Sequence, residues 1–204
     1  MPPLLRFLPL ASISVTLVSA SALGAPASSD EIAIPSVRVR FAAPTGWHSN
    51  EASVAVESRK KVRASDPEMN RYLLDRARIP KLVFTKHSPE YPSVNPTLQV
   101  YETSGRSSLE AVEATMKQVS GLDGYKLIDP PRKYDVPGRD AAFARATFSL
   151  SKGNDTILIE ARALIISDGG RTVVFGFSGP AEGAERSETE FQQFLKTVAA
   201  LDPK

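Results

Sequence analysis

The strongest pattern along the chain is an alternation of apolar and polar positions that sets in after Tyr134 and runs through three segments. Ala142, Ala144, Ala146, Phe148 and Leu150 recur at every second position. Ile157, Ile159, Ala161, Ala163 and Ile165 do the same, and then Val173, Phe175 and Phe177. Lys152-Gly153-Asn154-Asp155 and Ser167-Asp168-Gly169-Gly170 separate the segments with residues that suit tight turns. A period of two places each apolar set on one face, so the three segments predict a continuous antiparallel meander.

Shorter stretches repeat the motif upstream. Val37, Val39 and Phe41 alternate with Arg38 and Arg40, and Pro44-Thr45-Gly46 then turns the chain before Trp47. Val54 and Val56 predict a second strand around Ala52 to Glu57. Leu82-Val83-Phe84 and Leu98 to Tyr101 predict two more, divided by a loop over Ser88 to Pro96 that holds three prolines. Pro130-Pro131 predicts another loop.

Three segments carry helical spacing instead. Ser65 with Glu68, Ser107 with Glu110, and Ser187 with Glu190 each have the spacing of a capping box. Met69, Tyr72 and Leu73 share a face of the first helix, which Pro80 ends. Leu109, Val112, Met116 and Val119 form the stripe of the second, with Gly121 as its stop. Phe191, Phe194, Leu195, Val198 and Leu201 form the stripe of the third. Strands and helices in this order predict an α+β fold, a mostly antiparallel β-sheet with helices packed on it as an α/β/α sandwich.

Composition adds compartment and exclusions. At 204 residues, with 42% hydrophobic and 24% charged, the chain has the makeup of a folded domain with a real core. Its start reads as a leader: Arg6 gives a short basic region, Phe7 to Val18 is mostly apolar, and Ser19 to Ala25 supplies the small residues signal peptidase requires. Serines and Pro9 interrupt the apolar run, which is shorter than the roughly 20 residues a spanning helix needs. The expected organisation is a cleaved signal peptide over residues 1–25, a linker over 26–35 and a single domain over 36–204. The product is then periplasmic or secreted, with no stable membrane span after cleavage.

Cysteine is absent, which excludes disulfides, thiolate nucleophiles, cysteine-held metals and lipoprotein attachment. His48 and His87 are the only histidines, and Asp123, Asp129, Asp135 and Asp140 lack calcium-loop spacing, so no metal or other cofactor is expected. Lys and Arg total 25 against 23 Asp and Glu, and Arg6 lies in the leader. That balance argues against a nucleic-acid partner.

Several of these stretches resemble one family. Val39-Arg40-Phe41-Ala42-Ala43-Pro44-Thr45-Gly46-Trp47 is similar to the strand and Pro-x-Gly-Trp opening of PsbP-like domains. Val136-Pro137-Gly138-Arg139-Asp140-Ala141-Ala142 resembles that family's turn into its long meander, and the helix over Phe191 to Leu201 fits its end. PsbP is an extrinsic subunit of photosystem II, and similar folds occur in a Ran-binding nuclear-import factor and in bacterial secretion chaperones. The resemblance implies a PsbP-like fold and a non-catalytic binding or accessory role. Export sets the nuclear and cytosolic roles aside.

For function this leaves an exported cell-envelope protein that binds a protein or lipid partner. The expected contact is a sheet face or the basic patch Arg59, Lys60, Lys61 and Arg63, which suits an anionic lipid or polymer. Two alternatives stand beside it. One is a serine hydrolase with a degenerate nucleophile elbow at Gly176-Phe177-Ser178-Gly179, where Pro180 takes the place of the final glycine. The other is a carrier of small molecules or lipids in a pocket between sheet and helices. Trp47 is expected in the core.

Overall fold

The structure is a computed structural model, and it describes residues 31–59, 64, 67, 79–105, 107–152, 154–183 and 186–201. The expected leader, the helix expected from Ser65, and Lys60, Lys61 and Arg63 lie outside the described residues, apart from the isolated positions 64 and 67.

The meander is present as expected: β7 (Asp140–Lys152), β8 (Asp155–Asp168) and β9 (Arg171–Pro180) pair antiparallel throughout. β6 (Lys126–Lys133) extends it on one side. β5 (Thr97–Ser104), β4 (Leu82–Thr85) and β3 (His48–Asn50) extend it on the other, giving a seven-stranded sheet in the order β3-β4-β5-β9-β8-β7-β6. A three-stranded sheet, β1 (Glu31–Ile34), β2 (Val39–Ala42) and β10 (Ala199–Ala200), stands apart from it. Residues 31–34 are therefore strand, although they fall inside the stretch expected as linker.

Two cores flank the large sheet, and side-chain size distinguishes them. On one face Ala142, Ala144, Ala146, Ala161 and Ala163 present a floor of small residues, onto which α2 (Ser108–Val119) lays Val112, Met116 and Val119. On the other face Phe175, Phe177 and Phe143 meet Phe41 and Trp47 together with Phe191 and Phe194 of α3 (Glu188–Thr197). The aromatic rings meet edge-on or tilted, as at Phe41–Phe175 (5.1 Å) and Phe177–Phe191 (5.2 Å), which suits their quadrupoles. The result is the expected α/β/α sandwich, with the small sheet sharing a layer with α3.

Local chemistry explains the boundaries. Ser107 and Glu110 form the expected capping box of α2, and Asp140 adds a cap by accepting from Ser108 N and Ser108 Oγ, both at 2.8 Å. Gly46 sits at φ +78° in the turn that closes with Trp47 N donating to Pro44 O, a conformation an L side chain resists. Trp47 is buried against Phe177, as expected of a core residue.

Four expectations are corrected. Ala52–Arg59 is a helix, α1, where a strand was expected. Two alternating valines are too short a signal, and Ala52 and Ala55 favour helix, with Ala55 fully buried. Pro130 and Pro131 lie inside β6, which is tolerable because β6 is an edge strand and its register shifts around them. Ser187 makes no side-chain cap, its backbone (φ −107°, ψ 42°) lying outside the extended region of an N-cap, and Glu190 forms an ion pair with Lys86 at 2.8 Å. Leu201 lies beyond α3, its N–H donating to Arg38 O at 2.8 Å. No helix among the described residues is long and apolar enough to cross a membrane.

Candidate functional site: a charged cleft between α3 and the sheet edge

At the β6 edge, α3 does not fully cover the aromatic face. A cleft of about 230 Å³ opens there, lined by Asp129, Arg132, Tyr134, Phe143, Arg145, Arg162, Glu188, Phe191, Gln192 and Leu195. Glu188, Phe191, Gln192 and Leu195 fall on one face of α3 by their three- and four-residue spacing. Arg145 follows Phe143 by two positions on β7, so both point the same way.

The irregularity of β6 completes the lining. Asp129 opposes Arg145 and Arg132 opposes Phe143, so three steps along β6 match two along β7. In a regular strand, residues three apart face opposite sides. The bulge at Pro130-Pro131 turns Asp129 and Arg132 to the same side.

A dense ion network forms the floor. Arg162, only 3% exposed, pairs with Glu160 and lies 2.6 Å from Glu188 Oε2. Arg145 lies 2.8 Å from Asp129, 3.8 Å from Glu160 and 3.7 Å from Glu188, and Arg186 reaches Glu188 at 3.7 Å. The Arg162 guanidinium sits 4.8 Å over the Phe191 ring and 5.7 Å from that of Phe177. Its Nε is buried with no hydrogen-bond partner among the described residues.

Burial lowers the Arg162 pKa, with the carboxylates of Glu160 and Glu188 opposing that shift. For Glu188, burial by itself pushes upward. The Gln192 hydrogen bond and the guanidiniums of Arg162, Arg145 and Arg186 outweigh it and hold the carboxyl below its ordinary value. The lining thus joins fixed charges to aromatic walls and carries no histidine, serine or cysteine. Such a set has the chemistry to orient a ligand.

A second, more open cavity of about 380 Å³ lies at the end of the sheet near Gly138, Asp140 and Gly169. Its charged groups are committed to the fold. Asp140 caps α2 and pairs with Lys133, Asp168 holds Arg38 at 2.6 Å, and Arg139 donates to the carbonyls of Arg38 and Leu201.

The sequence-predicted residues fall elsewhere. Arg59 ends α1, a helix that contributes no described residue to the cleft lining. The downstream basic residue Lys81 is paired with Glu102 at 2.8 Å. Ser178 is 2% exposed within β9, between Thr97 and Ala161, and not on a strand-to-helix turn. Pairing runs His48–Thr85–Thr97–Ser178, so His48 stands three strands away, roughly 14 Å. The elbow geometry is therefore absent at Ser178. No group of three or more acidic, histidine or cysteine side chains suited to a metal occurs among the described residues. Asp129 pairs with Arg145, and Asp140 is a helix cap.

The chain is similar in structure to cyanobacterial PsbP (CyanoP) from Synechocystis, at 15% identity over 90% of this chain and 98% of that one, with a TM-score of 0.48. It is also similar to LpqN, involved in cell envelope biogenesis of Mycobacterium tuberculosis (10% identity, 68% and 78% covered, TM-score 0.45). A protein of unknown function from Pseudomonas aeruginosa, a putative regulator by its description, matches at 14% identity over 55% and 76%, TM-score 0.42. These are likenesses of fold at low identity, and PsbP, the family that residues 39–47, 136–142 and 191–201 resemble, is among them. No family model matches the chain, and no curated protein sequence does.

Proposed function

We propose that this chain is an exported, non-catalytic binding protein of the cell envelope, and that the cleft between α3 and β6–β8 is where it engages its partner. The observation that carries this reading is the cleft: a gap in the aromatic core of about 230 Å³ with a buried, ion-paired arginine on its floor. A fold gains nothing in stability from opening its core around desolvated charges, because a packed apolar replacement of equal volume is usually as stable. Export rests on the leader-like residues 1–25. This arrangement favours the carrier-like pocket between sheet and helix over the patch at Arg59, Lys60, Lys61 and Arg63, whose last three members lie outside the described residues.

A photo-crosslinking side chain at Gln192, exposed at the cleft, tests the site in intact cells, with Glu113 on α2 at the opposite face as control. The expected result is an extracytoplasmic protein with an adduct at position 192 and none at 113. Equal labelling at both positions, no adduct at either, or a cytoplasmic location would overturn it.

A further inference from the structure

Charge counting within the cleft narrows what it takes. Arg145, Arg162 and Arg186 are matched by Asp129, Glu160 and Glu188 through the ion pairs already described, so the floor is internally neutral. Arg132 stands outside that balance. It lines the cleft, is exposed, and no ion pair to it is seen among the described residues. Its guanidinium lies 5.4 Å over the Phe143 ring. The mouth therefore carries one uncompensated positive charge above a wall of Tyr134, Phe143, Phe191 and Leu195.

Resting on the reading that this cleft is the binding site, we infer that its ligand is a monoanionic amphiphile. A single carboxylate or phosphodiester meets Arg132 at the mouth, and a short apolar body lies along the Phe143 and Phe191 rings. The volume fits that assignment, since it is below the roughly 300–1,000 Å³ that encloses a drug-sized ligand. It admits a headgroup and its first few carbons. With Asp129 and Glu188 already paired to the arginines of a neutral floor, Arg132 alone is left to compensate an anion, and it matches one negative charge. A planar guanidinium over an aromatic ring can meet an oxyanion with two parallel donors.

The headgroup could be offered by a free single-chain acid or by a bilayer lipid, and the experiment separates these sources. Titration calorimetry at low salt compares sodium octanoate, methyl octyl phosphate (a monoanionic phosphodiester) and octanol on the full exported chain, with flotation on phosphatidylglycerol and phosphatidylcholine vesicles as a second arm. Octanoate and methyl octyl phosphate are expected to bind at least tenfold more tightly than octanol. Arg132→Ala is expected to weaken them roughly five- to tenfold while leaving octanol unchanged. Arg132→Lys should retain most of the preference for the anion, and Lys126→Ala, the same charge change on the same strand outside the cleft, should have no effect.

Flotation with phosphatidylglycerol but not phosphatidylcholine, lost in Arg132→Ala, would assign the source to the bilayer. Octanoate binding without flotation would assign it to free amphiphiles. Octanol binding as tightly as octanoate, an Arg132→Ala variant that binds like wild type, or no binding of any probe overturns the assignment. If Gln192 still crosslinks in that last case, only the ligand class falls. If octanoate binds through Arg132 but Gln192 captures nothing in the envelope, the ligand class stands and the envelope role falls.

Discussion

Replacing Arg162 by methionine tests whether the floor of the cleft is an interdependent charge network. Arg162 is 3% exposed and contacts both Glu160 and Glu188, so its loss leaves Glu160, itself 8% exposed, facing a low-dielectric core. Removing one partner of a buried ion pair costs about 3–5 kcal/mol. Arg145 remains 3.8 Å from Glu160 and 3.7 Å from Glu188, which puts the expected loss near the lower end, about 3 kcal/mol. With a urea slope of about 2 kcal/mol per molar, the midpoint should fall by about 1.5 M at neutral pH with the slope unchanged. Adding Glu160→Leu should restore stability to within about 1 kcal/mol of wild type. The reasoning is refuted if Arg162→Met costs less than 1 kcal/mol, or if the double variant is no more stable than the single one.

Three further outcomes follow from the fold. Asp140→Asn should cost about 1 kcal/mol by weakening the cap on Ser108, read by urea midpoint. Burial by itself raises the Asp140 carboxyl, but Lys133 and the two Ser108 hydrogen bonds hold it below its ordinary value. Its contribution is therefore full above the unfolded pKa and is lost as pH falls through the folded one, so the gap between wild type and Asp140→Asn should close in acid. Asn95→Ala should cost about 1–3 kcal/mol and speed proteolysis within Ser88 to Pro96, because the fully buried Asn95 amide accepts from His87 N and donates to the carbonyls of His87 and Ser88. Gly179→Ala should cost about 1–3 kcal/mol, since its new Cβ would stand 3.2 Å from Pro96 Cβ and 3.3 Å from Pro96 Cα, and thermal melts would show it.

The meander and α2 were legible in the sequence because each rests on a long, redundant signal. Alternation from Ala142 to Phe177 repeats over three strands, and the Ser107–Glu110 cap precedes a full stripe. Helix α1 was not legible, because Val54 and Val56 carry the period of a strand over too short a run to outweigh the alanines around them. The third cap did not form because spacing says nothing of backbone conformation, and Ser187 lies outside the N-cap region, while Lys86, distant in sequence, pairs with Glu190. The cleft left a trace that was readable in principle. In β8 both faces are apolar, with Ile159, Ala161, Ala163 and Ile165 on one and Leu164 and Ile166 on the other, so Glu160 and Arg162 interrupt a doubly buried strand. Their partners could not be found that way. Arg145, Asp129 and Glu188 converge only once β6 is bulged and α3 is docked.

The central claim is that binding occurs at the α3–β6 edge and not on the α2 face. Methyl-labelled protein reports on this directly, since Leu195 lines the cleft while Leu122 lies in the opposite core. On titration with an extract of the native envelope, the Leu195 methyl resonances should shift or broaden and those of Leu122 should stay in place. Movement of Leu122 with Leu195 unmoved, or no movement of either at saturating extract, would contradict the account.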